Sequence, residues 1–204
     1  PYSALLVNKS VNKIKARNIF KTVKSDIANG SKNDLKVIKI NVEEKPTGEI
    51  SAGAGIGTNG GSFAFTVKEN NWLGEGKNFG FDIDVNQDSL KGTLNYLDPN
   101  YDFLGNSLNY SLSSSSNDKP DQGYENKITS ASIGTAFEQY KNVYASLGIS
   151  ASYDDLQTDA TASDSLQKQS GQFSEIAANY GFTLDERNRT FMPTDGSIVS
   201  FSQS

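Results

Sequence analysis

The chain has no cysteine and no histidine among its 204 residues. Without cysteine there are no disulfides and no thiolate metal sites, and redox chemistry says nothing of the compartment. Without histidine, Ser-His-Asp and Cys-His catalysis, His-ligated zinc and the H-E-x-x-H motif are all excluded. No stretch approaches 18 apolar residues, so there is no transmembrane helix. Barrel strands carry a much weaker signal and are untouched by that absence. Basic residues are outnumbered, 19 against 24 acidic, and a net charge of -5 with a pI near 4.8 argues against nucleic acid as a partner. The lysines of the first 45 residues are mixed with acids and Asn and read as a solvated face. No signal peptide is visible, and Pro1-Tyr2 run straight into a helical pattern, as expected of a chain cut in front.

What is present is polar and glycine-rich. Hydrophobic residues make up 35%, mean hydropathy is -0.53, and 18 residues are glycine. Alternating strands, in which every second residue is polar, have this composition.

Residues 3–20 are predicted as an amphipathic helix, with Ala4, Leu5, Val7, Val11, Ile14 and Ile19-Phe20 at helical spacing and Ser3 as N-cap. Strands follow at Thr22 to Ile27 and around Val37, Ile38, Ile40 and Val42, with a turn at Asn29-Gly30-Ser31 between them. This is a small α+β unit missing its beginning. Lys45-Pro46-Thr47-Gly48 breaks the pattern, giving expected domains of 1–46 and 47–204.

Everything after the break reads as strand, without a convincing helix. In Asn78 to Asn86, Phe79, Phe81, Ile83 and Val85 alternate with polar residues or glycine. Val143 to Tyr153 repeats the pattern through Leu147 and Ile149, and Ile176 to Leu184 does so through Tyr180 and Phe182. Weaker versions cover 49–57, 62–68, 90–97, 106–113, 128–137 and 196–204, about nine strands in all. Alternation alone cannot separate a soluble sandwich, with its apolar face inside, from a transmembrane barrel, with that face against lipid.

The connections favour the barrel. The two longest, 114–126 and 155–171, are both odd-numbered, so a meander puts them at one end. Trp72, Tyr101, Phe103, Tyr140 and Phe191 gather at the other end, where they fit an interfacial girdle or simply pack turns. Nine strands do not complete a bacterial barrel, and an alternating run is still under way at Ser204, so truncation behind is expected too.

The chemical motifs are weak. Gly55-Ile56-Gly57-Thr58-Asn59-Gly60 is formally G-x-G-x-x-G, but a strand-like segment follows it where a nucleotide site needs a helix. Asp98-Pro99-Asn100-Tyr101-Asp102 lacks the spaced ligands of a calcium loop and reads as a turn. Asp82 and Asp84 share one strand face and read as lumen lining, and Asp154 and Asp155 as the solvated start of a loop. In residues 49–57, Ile50, Ala52, Ala54 and Ile56 share one face, and Gly53, Gly55 and Gly57 the other. Such a strand pairs loosely, although close packing or a bend explains the same glycines.

Several strings together resemble one family. Val42-Glu43-Glu44-Lys45-Pro46-Thr47-Gly48 followed by Gly53-Ala54-Gly55-Ile56-Gly57 is similar to the junction between the last POTRA domain and the barrel of BamA-like outer-membrane assembly factors. Asn70-Asn71-Trp72-Leu73-Gly74-Glu75-Gly76, Asp98-Pro99-Asn100-Tyr101 and Asp185-Glu186-Arg187-Asn188 with Pro193-Thr194-Asp195-Gly196 resemble that family's periplasmic turns, in its order and spacing.

The resemblance implies the end of a POTRA domain in 1–46 and the first half of a 16-stranded antiparallel barrel behind it. It implies residence in the bacterial outer membrane with the front in the periplasm. The implied activity is folding and insertion of other barrels through a lateral gate between the first and last strands. Ile50, Ala52, Gly53, Ala54, Gly55, Ile56 and Gly57 would form that gate's first strand. The alternation itself, in a barrel, puts Phe79, Phe81, Ile83, Val85, Leu147, Ile149, Tyr180 and Phe182 against lipid. Trp72, Gly74, Pro99, Tyr101, Pro193 and Gly196 would mark periplasmic turns. Unfolded barrel substrates, accessory lipoproteins and outer-membrane lipid are the implied partners; no cofactor and no enzymatic step are expected. The family's Arg-Gly-Phe loop and last strand would lie after Ser204. A passive porin or adhesin, a secretion barrel of a related family and a soluble sandwich are the competing readings.

Overall fold

The computed structural model describes residues 2–32, 35–57, 60–102, 104–188 and 193–204. Contacts divide the chain into two units, Pro1–Thr47 and Gly48–Ser204.

The first unit is one helix and a two-stranded sheet. Helix α1 spans Ala4–Ala16, capped by the Ser3 hydroxyl, which accepts from the Leu6 N–H at 3.4 Å. Lys13 and Lys15 lie in its last turn, where cations suit the helix dipole. Val7 and Val11, one turn apart, are its buried residues. The helix is shorter than the apolar period suggests. Asn18 adopts a left-handed φ of 57, Ile19 is buried outside the helix, and Phe20 opens a strand. Strands β1, Phe20–Asn29, and β2, Lys36–Glu44, pair antiparallel with Val23 opposite Val42 and Ile27 opposite Ile38.

The second unit is a single sheet of nine strands in sequence order. They are β3 (Gly48–Gly57), β4 (Gly60–Trp72), β5 (Lys77–Asn86), β6 (Ser89–Asp98), β7 (Ser107–Lys119), β8 (Tyr124–Tyr140), β9 (Val143–Thr158), β10 (Gly171–Asp185) and β11 (Ile198–Gln203). Every neighbouring pair is antiparallel, so the sheet is an up-and-down meander.

The register is staggered. Asn78, at the start of β5, lines up through Leu97, Asn109, Gly134 and Gly148 with Asn179, well inside β10, which runs on to Asp185. The slip is roughly one residue per strand, which at about 3.3 Å rise and 4.8 Å spacing tilts the strands by about 35°. That is the inclination at which sheets close into barrels.

Where a sandwich would divide them between two sheets, the strands of this unit form one continuous sheet. Its apolar side chains stay uncovered: Leu147, Ile149, Ile176 and Phe182 are half exposed or more. No described helix is long and apolar enough to cross a membrane.

Three details depart from the sequence reading. Residues 114–126 are mostly strand, because β7 and β8 continue as a ladder with Ser114 opposite Thr129 and Ser116 opposite Lys127, leaving a 3-10 turn at Pro120–Gln122. Asp154 and Asp155 lie inside β9 and do not open a loop. A short helix, α2 (Asp164–Gln169), capped by Ser163, stands in the β9–β10 connection where no helix was expected.

Candidate functional site

Residues directly opposite one another in a sheet share a face, so the register sorts the side chains. Phe81 is opposite Val67 and Leu94; Leu94 is opposite Leu112, then Ala131, Ala151 and Ile176 follow across the sheet. The neighbouring row runs Phe79, Tyr96, Tyr110, Ile133, Ile149 and Ala178. Ile83 and Val85 on β5, Leu147 on β9, and Tyr180 and Phe182 on β10 fall on this same face. All eight side chains expected against lipid therefore lie on one face of the sheet. Tyr180 and Phe182 are in edge contact at 6.4 Å, and Tyr180 also meets Phe201 at 6.2 Å.

The opposite face is polar. Thr66 donates to Asp82 at 2.9 Å, Ser111 to Asn95 at 2.8 Å, and Asn179 to Ser150 at 3.4 Å. A hollow of about 440 Å³ opens there among Ser62, Asn86, Ser89, Asn117 and Lys119. This row arrangement also brings together residues that sequence reasoning missed. Gly134 and Gly148 stand opposite each other between Asn109 and Asn179. A Cβ on Gly134 would lie 2.7 Å from the Asn109 amide oxygen. Asp154 Oδ1 and Asn126 Oδ1 are buried without a hydrogen-bond partner. Only the register, which relates distant segments, could have grouped them.

Strand β3 is one end of the sheet and, among the described residues, pairs with β4 alone. Ile50, Ala52, Ala54 and Ile56 lie on the apolar face, opposite Val67, Phe65, Phe63 and Gly61. Ile50 is 73% exposed and Ile56 95%. Gly53, Gly55 and Gly57 lie on the polar face, opposite Ala64, Ser62 and Gly60. A Cβ on Gly53 or Gly57 would meet nothing within 4 Å, so crowding is not what calls for these glycines. The close-packing explanation thus loses its basis at those two positions. Gly57 and Gly60 pair as the ends of a hairpin; Thr58 and Asn59, the remaining part of the G-x-G-x-x-G string, lie outside the described residues.

The three turn motifs share the sheet end that also carries the β8–β9 turn. At β4–β5, Gly74 N–H donates to Asn71 O at 2.9 Å, and Trp72 stacks on Phe79 at 4.7 Å. In the β6–β7 connection, which holds Pro99, the Tyr101 N–H donates to Asn106 O at 3.0 Å. Asp102 accepts from the Leu104 and Asn106 amides at 3.0 Å each. Desolvation pushes the Asp102 carboxyl upward, but the donors from Asn106, Leu104 and Gly105 outweigh it and hold the group below the ordinary Asp value. In the β10–β11 connection Gly196 has a φ of 90, and Thr194, next to Pro193, is held by Asn188. Phe103 and Phe191, expected in the same girdle, lie outside the described residues.

No group of three potential metal ligands occurs among the described residues. The arrangement is one of surfaces: an apolar face, a polar face and an open strand edge. Residues 71–204 match the Omp85 superfamily domain. The chain belongs to the Omp85 superfamily. Its fold is similar to that in the crystal structure of BamA from Haemophilus ducreyi lacking POTRA domains 1-3, with a TM-score of 0.66 and 22% identity. The match covers 96% of this chain and 41% of that one, so the chain spans less than half the length of that structure. Membership in Omp85 makes the nine-stranded unit part of a bacterial outer-membrane barrel. Its meander, strand tilt and two-faced alternation are those of a transmembrane barrel wall.

Proposed function

We propose that this Omp85 chain is the front of an outer-membrane assembly factor that folds and inserts other β-barrels. The observation that carries the reading is β3. It stands at the sheet's end, directly after the small α+β unit, and has an apolar face of Ile50, Ala52, Ala54 and Ile56 backed by glycine. Glycine in a strand interior lowers its stability by about 0.5–1 kcal/mol relative to Ala. Two such residues, Gly53 and Gly55, inside a seam strand make separation from a last strand cheap. Once separated, the free N–H and C=O groups of β3 template an incoming strand by β-augmentation.

In this reading the apolar face, with Phe79, Phe81, Ile83, Val85, Leu147, Ile149, Tyr180 and Phe182, meets lipid, and the polar face lines the lumen. Trp72, Gly74, Pro99, Tyr101, Pro193 and Gly196 then mark the periplasmic end. The front unit is the end of a POTRA domain in the periplasm, where accessory lipoproteins dock. Work is done by strand exchange and membrane insertion, without a covalent step or cofactor.

The test is reconstitution of the full-length protein in liposomes with an unfolded client barrel. Faster client insertion, abolished by a disulfide joining β3 to the last barrel strand, is the expected result. Ion conduction without client acceleration would replace this function with passive permeation.

A further inference from the structure

Leu73 is out of place by local chemistry. It is the third residue of a turn closed by the Gly74 N–H on Asn71 O, and its φ is 56. That position favours Gly or Asn, because the left-handed backbone crowds a Cβ. Asn18 and Asn142 are the other described non-glycine residues with positive φ, so Leu73 alone has a bulky side chain there. Packing within the chain does not compensate, since Leu73 is 80% exposed. A strained backbone bearing an uncovered leucine points to a contact outside the chain.

The same sheet end repeats the feature. Leu104, in the β6–β7 connection, is 86% exposed, and Tyr140, at the β8–β9 turn, is 71% exposed. Successive turns at one end are two strands apart, roughly 10 Å, so these are single apolar tips along a rim and not one compact patch. A protein interface needs a contiguous buried centre, whereas a lipid surface follows the whole rim. Leu73 also directly follows the apolar face in the chain. Its neighbour Trp72 stacks on Phe79, and Phe79 stands in a row with Tyr96 and Tyr110, whose rings are 6.1 Å apart. The charges beside it are paired: Lys77 Nζ is 2.5 Å from Glu75 Oε2.

We propose that Leu73, with Leu104 and Tyr140 on the next two turns, is a foot sunk into the headgroup–acyl boundary of the periplasmic leaflet. The proposal rests on the membrane reading above and adds the lipid contact at this rim. The feet fix the depth at which the barrel's periplasmic end sits, while the lipid supplies the cover that Leu73 lacks.

The experiment is site-directed spin labelling of the full-length protein, free of other cysteines, in phosphatidylethanolamine–phosphatidylglycerol vesicles. Labels at 73, 104 and 140 are compared with one at Ile149 on the apolar face and one at Glu75. Oxygen and a water-soluble nickel chelate report depth. The expected result is that 73, 104 and 140 lie about 5–10 Å below the headgroup surface. Glu75 stays in water and Ile149 lies deeper than all three. A label at 73 as open to nickel as that at 75 overturns the proposal. A label at 73 closed to both reagents overturns it in favour of protein contact. If Ile149 is itself open to nickel, the membrane reading fails, a distinct outcome. Leu73→Asn supplies the second readout, because Asn tolerates the backbone. It should keep the strand spectrum and slow folding into vesicles severalfold; unchanged folding would contradict the foot.

Discussion

The Asp159 N–H donates to the carbonyl of Gly123 at 2.9 Å, joining the β7–β8 turn to the β9–β10 connection. Gly123 is buried with a φ of 69, and a Cβ there would lie 2.4 Å from Asp159 Oδ1 and 2.6 Å from Ala162 N. Gly123→Ala should therefore undock the two loops at a cost of about 1–2 kcal/mol from the backbone alone. Limited proteolysis of the full-length protein in membranes reads this directly. Faster cleavage between Asp159 and Ser170 is expected, and an unchanged pattern would show that the contact does not hold the loops.

The assignment of faces makes a paired prediction on adjacent residues of β5. Phe81→Arg puts a charge on the apolar face and should cost about 2–4 kcal/mol near the bilayer midplane. Asp82→Asn keeps an acceptor for the Thr66 hydroxyl on the polar face and should stay within about 0.5 kcal/mol. Urea titrations of folding into vesicles separate the two; equal effects would contradict the facing.

Gly53→Val tests whether β3 is kept deliberately weak. The site has open space for the added side chain, so the fold should tolerate it, and valine favours strand by up to about 1 kcal/mol. Client insertion should slow while the barrel's melting temperature holds or rises. Loss of both together would instead indicate a folding defect.

Asp102 gives a pH dependence. Its carboxyl is held below the ordinary 3.8, so the bound form is the anion. A lowered folded-state value contributes stability above the ordinary Asp range, and that contribution fades as pH falls below it. Amide exchange at Asn106 should accelerate under those acidic conditions, and Asp102→Asn should flatten the dependence at this turn.

Much of the wall was legible because alternation is local. Phe79, Phe81, Ile83 and Val85 announce both a strand and its face, and β5 was anticipated to within a residue. Where alternation lapses, reading failed. Ser113 to Asn117 are polar on both faces, so a ladder held by backbone pairing passed for a loop. Ile19 and Phe20 continue the helix's apolar period, yet the first is buried outside the helix and the second begins a strand. Six residues are too few to show a helical period, which hid α2. The tilt, the Gly134–Gly148 pair and the strain at Leu73 are relations among segments or of backbone angle, and composition does not carry them. The strings around Trp72, Pro99 and Pro193 pointed to a family, and the match over 71–204 extends from the end of β4 through β11.

The apolar face is not equally tall all the way round. On β9 it runs from Val143 to Tyr153, about 27 Å high once the tilt is allowed for, while on β3 it runs from Ile50 to Ile56, about 16 Å. With lipid on this face, the two heights impose a hydrophobic mismatch between β9 and β3. The bilayer must compress or its headgroups must bend inward there, at a fraction of a kcal/mol per Å. A newcomer strand entering beside β3 would meet a shallower stretch of hydrocarbon than the one β9 spans.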